Sequence, residues 1–222
     1  MLFRYERPIL FTVHGFGRNV SNEFNPLAAY FKKKHYPVVQ FNMYDLNDDN
    51  DVDYNQWIQR AEDKLRHTLK AGRPVIILGF SMGGVIASYL ASIYPVRSLI
   101  LVAPAFQYLD LPKVTKQGVK FVKELGNKEK DEAASKRTKA FTRIVSNYKE
   151  SINAVDCPVL ILHGLNDEVI PLDSSKNAYE KIPGKKMMMF IADGKHRMLY
   201  DNTIQDSLFP IIELWMKNKL LK

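Results

Sequence analysis

Six short apolar runs recur along this sequence, separated by helical patterns, and that alternation constrains the fold more than any other feature. The runs are Ile9–His14, Val38–Asn42, Val75–Phe80, Leu99–Val102, Val159–His163 and Met187–Ile191. Most are β-branched or apolar throughout rather than alternating with polar residues. Such runs read as strands covered on both faces. Strand and helix in turn predict a parallel sheet with helices above and below it. The soft run Met187-Met188-Met189-Phe190 is read as core strand rather than as a ligand surface.

The intervening helices are legible by spacing. Residues 54–70 place Trp57, Ile58, Ala61, Leu65 and Leu69 three and four apart, with Asp53 available as N-cap. Residues 82–93 are rich in small side chains that can press closely on a sheet. Leu208, Ile211, Ile212, Trp215 and Met216 mark a last helix, which Pro210 is expected to kink or to begin anew. Only from Pro104 to about Glu150 does the alternation fail. Two amphipathic patterns fill that interval, the first with Val114, Phe121, Val122 and Leu125, the second with Ala133, Ala140, Phe141, Ile144, Val145 and Tyr148. It is too long for a simple connection, and a helical cap of about 104–150 inserted in one domain spanning 1–222 is expected.

The segment Gly79-Phe80-Ser81-Met82-Gly83-Gly84 follows an apolar strand directly and opens a helix. Gly-x-Ser-x-Gly is a weak pattern alone, but in this strand–turn–helix setting it is a nucleophile elbow. The turn presents the Ser81 hydroxyl at the strand end, and the helix directs its N-terminal N–H groups and positive dipole end toward the site. A serine hydroxyl needs a base to take its proton. His196, in Asp193-Gly194-Lys195-His196 after the last strand, fits that role. His14 and His163 end strands before glycines, where turn packing explains a histidine; His35 and His67 lie on polar helical stretches. The base in turn needs a carboxylate to fix its tautomer. Asp167, in the loop after the fifth strand, is the candidate, with Glu168, Asp173 and Asp193 as rivals. The chain order Ser81, Asp167, His196, each after a strand, places all three on one edge of a parallel sheet. Two N–H donors for a tetrahedral oxyanion are expected from Met82 and from Phe16 in His14-Gly15-Phe16-Gly17.

With HGFG at 14–17, GFSMGG at 79–84, HGLNDEVIP at 163–171 and DGKH at 193–196, the chain resembles the α/β-hydrolase superfamily. Within it the likeness is to small bacterial carboxylesterases and monoacylglycerol-lipase-like serine hydrolases. The resemblance implies Ser81 as nucleophile, Asp167 as acid, His196 as base and Phe16 and Met82 as oxyanion donors. It also implies a cap at 104–150 and no cofactor or metal. It begins at the strand before HGFG, without the family's two leading strands, so six strands, all parallel, are expected. Phe16, Phe106, Phe121, Val122, Phe141 and Ile144 are candidates for the substrate pocket.

Charge bears on the substrate. The net charge is +8, and residues 104–150 hold 11 basic against 6 acidic side chains. No zinc-finger spacing or aromatic-interleaved basic stripe accompanies it, so nucleic-acid binding is not expected. The first eight residues mix apolar and charged side chains and do not read as a signal peptide, and no window is apolar enough for a membrane span. One cysteine, Cys157, excludes an internal disulfide, and a cytoplasmic protein is expected. The leading expectation is a serine carboxylesterase acting on small- to medium-chain esters. Alternatives are a thioesterase, lyase or hydrolase of an anionic metabolite drawn by the basic cap, and a catalytically silent binding module. Salt dependence would separate the first alternative, and fluorophosphonate labelling the second. Oligomeric state is not legible.

Overall fold

A computed structural model describes residues 6–107 and 132–220. Its six strands are β1 (Ile9–Val13), β2 (Val38–Val39), β3 (Val75–Phe80), β4 (Ser98–Val102), β5 (Val159–Gly164) and β6 (Lys186–Ile191). They form one sheet in the order β2-β1-β3-β4-β5-β6. Every neighbouring pair is parallel. The helices are α1 (Asn25–Lys33), α2 (Tyr54–Leu69), α3 (Met82–Ile93), α4 (Glu132–Tyr148), α5 (Leu172–Lys181) and α6 (Asn202–Met216), with a 3-10 turn at Val20–Phe24. Among the described residues the sheet is therefore the six-stranded, all-parallel one expected from the sequence.

Strand pleating divides the core in two. Phe11, Val13, Ile77, Leu101 and Ile161 face α2, α3 and α4, where Trp57, Leu65, Val85 and Ile144 are buried. Leu10, Ile76, Leu78, Ile100 and Leu160 face α1 and α6, where Leu27, Phe31, Leu208 and Trp215 are buried. Asp53 caps α2 by accepting the Asn55 N–H at 2.9 Å. Pro210 lies inside one continuous α6, whose N-cap is Asp201.

Two strands depart from expectation. β2 pairs only through Leu10↔Val38 and Phe11↔Val39, shorter than the apolar run Val38–Asn42. Beyond it, side chains tie the chain to the loop after β1: Gln40 donates to Ser21 O at 2.9 Å, and Asn42 Oδ1 accepts the Ser21 N–H at 3.1 Å. β6 is an edge strand rather than a core one. Its residues are half-buried, and Phe190 is 41% exposed. Met187 and Met189 pack against one core and Met188 against the other.

The sheet order reverses between β1 and β3, because the chain builds β2 on one side of β1 and then crosses to build β3 on the other. Loops leaving adjacent β1 and β3 diverge at such a switch point, opening a crevice at the strand C-termini. The packing that makes β1, β3 and α3 fit there is close. A Cβ on Gly83 would lie 2.1 Å from Val13 O, and one on Gly79 would lie 2.4 Å from Gly83 O. Only glycine allows α3 to approach the sheet this closely.

Candidate active site

Ser81 links β3 to α3 with φ 53° and ψ −120°, a backbone region that a side chain rarely adopts and that costs about 1–3 kcal/mol. The surrounding hydrogen bonds hold it there. Its N–H donates to Val102 O at 3.0 Å, and its carbonyl accepts from Gly84 at 2.9 Å and from Ala105 at 3.2 Å. The side chain stands at the α3 N-terminus, and the residue is 5% exposed. Met82 is the first residue of that helix, so its N–H has no intrahelical acceptor.

The loop after β1 is braced on all sides. The His14 ring is buried, with Nδ1 donating to Gly15 O at 2.8 Å and Nε2 accepting the Met43 N–H at 2.9 Å. Burial lowers its pKa to about 4, against the opposing Gly15 bond, so the ring is neutral. The Gly17 N–H donates to Tyr44 Oη at 2.8 Å, and that hydroxyl donates back to Gly17 O at 2.9 Å. The Gly15 N–H donates to Glu23 Oε2 at 3.2 Å. Between these two held N–H groups, the Phe16 N–H has no internal acceptor among the described residues. Its ring stacks on Phe141 of α4, with centroids 5.3 Å apart and planes at 8°.

The loops after β5 and β6 are laced together. The Asn166 N–H donates to Gly194 O at 2.9 Å, and a Cβ on Gly164 would lie 2.0 Å from that same oxygen. This brings Asp167 to His196, whose Nδ1 donates to Asp167 Oδ2 at 2.9 Å with both side chains fully buried. Asp167 Oδ1 accepts the N–H groups of Val169 and Ile170, each at 2.8 Å. Burial alone would raise the Asp167 pKa, but hydrogen bonds from His163 and His196, the His196 charge and the Ile170 N–H together hold it well below the usual carboxylate range. The carboxylate is thus ionised at neutral pH and fixes the proton on His196 Nδ1, which leaves Nε2 as a base. The His196 ring lies against Phe80, centroids 5.0 Å apart, beside the strand end that carries Ser81.

Of the rival acids, Glu168 accepts the His196 backbone N–H at 3.2 Å. Asp173 is exposed and pairs with Lys176, and Asp193 is exposed. His35 and His67 are exposed on the surface. Of the pocket candidates, Phe106, Phe141 and Ile144 are buried and Phe16 is half-buried. Phe141 and Ile144 join the core beneath α4, while Phe121 and Val122 lie outside the described residues.

Two buried groups escaped sequence reading. His163 Nε2 lies 3.2 Å from Asp167 Oδ2, a contact between the end of β5 and the loop after it that turn packing alone does not predict. Glu23 is buried between Gly15 and Arg197, the latter 3.5 Å away. Burial raises its pKa, opposed by the Arg197 charge. No local pattern marks it. Among the described residues, no cluster of His, Cys, Asp or Glu could hold a metal ion, and no helix is long and apolar enough to cross a membrane.

A strained serine elbow at β3, braced backbone donors at β1 and a buried imidazole–carboxylate pair at β5 and β6, on this sheet, define the α/β-hydrolase class. The chain belongs to the family described as alpha/beta hydrolase of unknown function (DUF915), whose model matches residues 22–209. A protein of Mycoplasma genitalium named "Putative esterase/lipase 2" is 26% identical, covering 86% of this chain and 82% of its own length. Among solved structures, a metagenome-derived lipolytic enzyme of the LipS and LipT pair superposes with a TM-score of 0.76 at 15% identity, over 96% of this chain and 94% of its own. A monoacylglycerol lipase of Paleococcus ferrophilus gives 0.71 at 17%, over 96% and 95%. At such identities the structural likeness is one of fold.

Proposed function

We propose that this α/β hydrolase is a serine carboxylesterase that cleaves small- to medium-chain carboxylic esters through an acyl-enzyme. The observation that carries the reading is the buried 2.9 Å bond from His196 Nδ1 to an ionised Asp167, beside a strained serine elbow. A binding module has no need of that pair. The esterase and lipase names of the relatives point the same way.

In this reading Ser81 Oγ attacks the ester carbonyl while His196 Nε2 takes its proton. The carbonyl oxygen becomes an oxyanion and receives the N–H groups of Phe16 and Met82. Collapse of the tetrahedral intermediate breaks the ester C–O bond, and the leaving alcohol takes the proton from His196. Water, deprotonated by His196, then attacks the acyl-enzyme; the acid leaves and Ser81 regains its proton. Asp167 stays ionised throughout and stabilises the imidazolium. α4 acts as part of a cap, seated against the oxyanion loop through Phe141 and Phe16; residues 108–131 of the expected cap lie outside the described residues. Nothing in this chemistry calls for a cofactor.

Hydrolysis of p-nitrophenyl esters from acetyl to dodecanoyl, by wild type and Ser81→Ala side by side, tests the proposal. Turnover with an optimum at short to medium chain, abolished in the mutant, is the expected result. An inactive wild type across the series, or a mutant as active as wild type, would overturn it.

A further inference from the structure

We propose that His163 is a positioning residue of this reaction: it donates a hydrogen bond to the same Asp167 oxygen that receives His196, orienting the carboxylate and sharing its charge. The inference rests on the serine-hydrolase reading above and goes beyond it, since the attack, the proton transfers and the oxyanion leave His163 without a part.

The hydrogen-bond network assigns the His163 tautomer. Nε2 lies 3.2 Å from Asp167 Oδ2 and 3.1 Å from Ile170 O. An ionised carboxylate and a carbonyl can only accept, so Nε2 carries the proton. Nδ1 lies 2.6 Å from Ser175 Oγ on the first turn of α5, and in a neutral ring it accepts the hydroxyl proton. His163, Ser175 and the Asp167 carboxylate are all fully buried. A relay therefore runs from the Ser175 hydroxyl through His163 to Asp167 Oδ2, where it meets the Nδ1–H of His196.

This arrangement has two consequences. First, Asp167 Oδ1 is held by two backbone donors, while Oδ2 takes the His196 Nδ1–H and a share of the His163 Nε2 proton, which also bonds Ile170 O, so the carboxylate cannot rotate away from His196 without losing buried contacts. Second, the negative charge that Oδ2 gives to His163 is not given to His196. Without His163, the whole charge of Oδ2 would act on the His196 ring. His196 also feels Glu23, Arg197 beside Glu23, and Glu168 through its backbone N–H. A substitution at 163 alters none of these, so a moved pH profile reports the shared oxygen.

The test is the pH dependence of Ser81 labelling by a fluorophosphonate in wild type, His163→Leu and His163→Gln, with folding checked by circular dichroism. Leucine removes the donor, whereas glutamine offers an amide N–H near the position of Nε2. Expected for His163→Leu is labelling slowed about tenfold to a hundredfold, the range for a lost charge-assisted bond, with the acid limb moved to higher pH. His163→Gln should recover most of the rate and return the limb toward wild type. A folded His163→Leu with the wild-type rate and limb would overturn the proposal, as would one that loses only thermal stability. If that variant does not fold, Ser175→Ala decides. It weakens the His163 donor by removing the hydroxyl that polarises the ring, so slower labelling and a limb displaced the same way support the proposal. An unchanged rate and limb overturn it. A wild type that does not label would instead overturn the serine-hydrolase reading, and this proposal with it.

Discussion

At the scale of single residues, Asp167 bears the most consequence, because its buried charge is balanced by donors from three directions. Replacing it by Asn keeps the shape but presents an amide that can donate to His196 and favour the wrong tautomer. Steady-state kinetics of Asp167→Asn should show kcat reduced by about 10³- to 10⁴-fold, with a smaller change in KM. The same carboxylate sets a pH window for stability. Its folded pKa is depressed below the ordinary 3.8, so its contribution is present above that value and is lost as pH falls through the folded one. Melting temperature should therefore decline as wild type is taken below about pH 4, and the decline should be shallower in Asp167→Asn. Glu23 has the opposite sign. Its folded pKa is raised, chiefly by burial, so it favours the fold most below its ordinary pKa and progressively less as pH rises through the raised one. In Glu23→Gln, which still offers an oxygen to the Gly15 N–H, that loss with rising pH should disappear from the melting profile.

At the scale of elements, the elbow and the α3–β1 contact tolerate almost nothing. A methyl at Gly83 would drive into Val13 O at 2.1 Å, and backbone on both sides cannot retreat. Gly83→Ala should cost more than about 3 kcal/mol, in the range where substitutions become exceptional, read as a large fall in the denaturation midpoint or as insoluble protein. Phe141→Ala should cost about 3–5 kcal/mol for the buried ring. It should also lower kcat, because Phe141 is the face on which Phe16 stacks. Elements of this kind were readable from sequence where one pattern decided them. The run Val75–Phe80 followed by Gly-x-Ser-x-Gly predicts β3 and α3 with their observed ends. Where two demands competed, reading failed. Val38–Asn42 looks like a strand throughout, yet Gln40 and Asn42 hold the Ser21 loop instead of a ladder. Met187–Phe190 looks like a buried strand because methionine and phenylalanine carry no mark of an edge position. His163 looked like a turn residue because its partner, Ser175, is supplied by a different element.

At the scale of the whole molecule, the site is a consequence of topology. The strand order reverses between β1 and β3, and the loop carrying Phe16 and the serine leave from those two strands, while β5 and β6 deliver the carboxylate and imidazole to the same edge. That much follows from chain order and strand parity, which is why the positions of Ser81, Asp167 and His196 were legible without coordinates. Glu23 was not, because a buried carboxylate between Gly15 and Arg197 depends on three segments meeting. The excess basic charge of 104–150 belongs to this scale too. On α4, Lys136, Lys139 and Arg143 line a surface hollow of about 310 Å³ with Val52, Asp53 and Tyr54. If the substrate is a neutral ester, kcat/KM should be nearly flat with added salt, since exposed charges then have no ligand charge to act on. Activation of Ser81 as a nucleophile is what the proposed function turns on. The direct measurement is peptide mapping by mass spectrometry after brief fluorophosphonate treatment of wild type, Ser81→Ala and His196→Ala. Expected are one stoichiometric adduct on the Ser81 peptide of wild type, none in Ser81→Ala, and only slow labelling in His196→Ala. An unlabelled Ser81 in folded wild type, or equal labelling of Ser81 without His196, would contradict it.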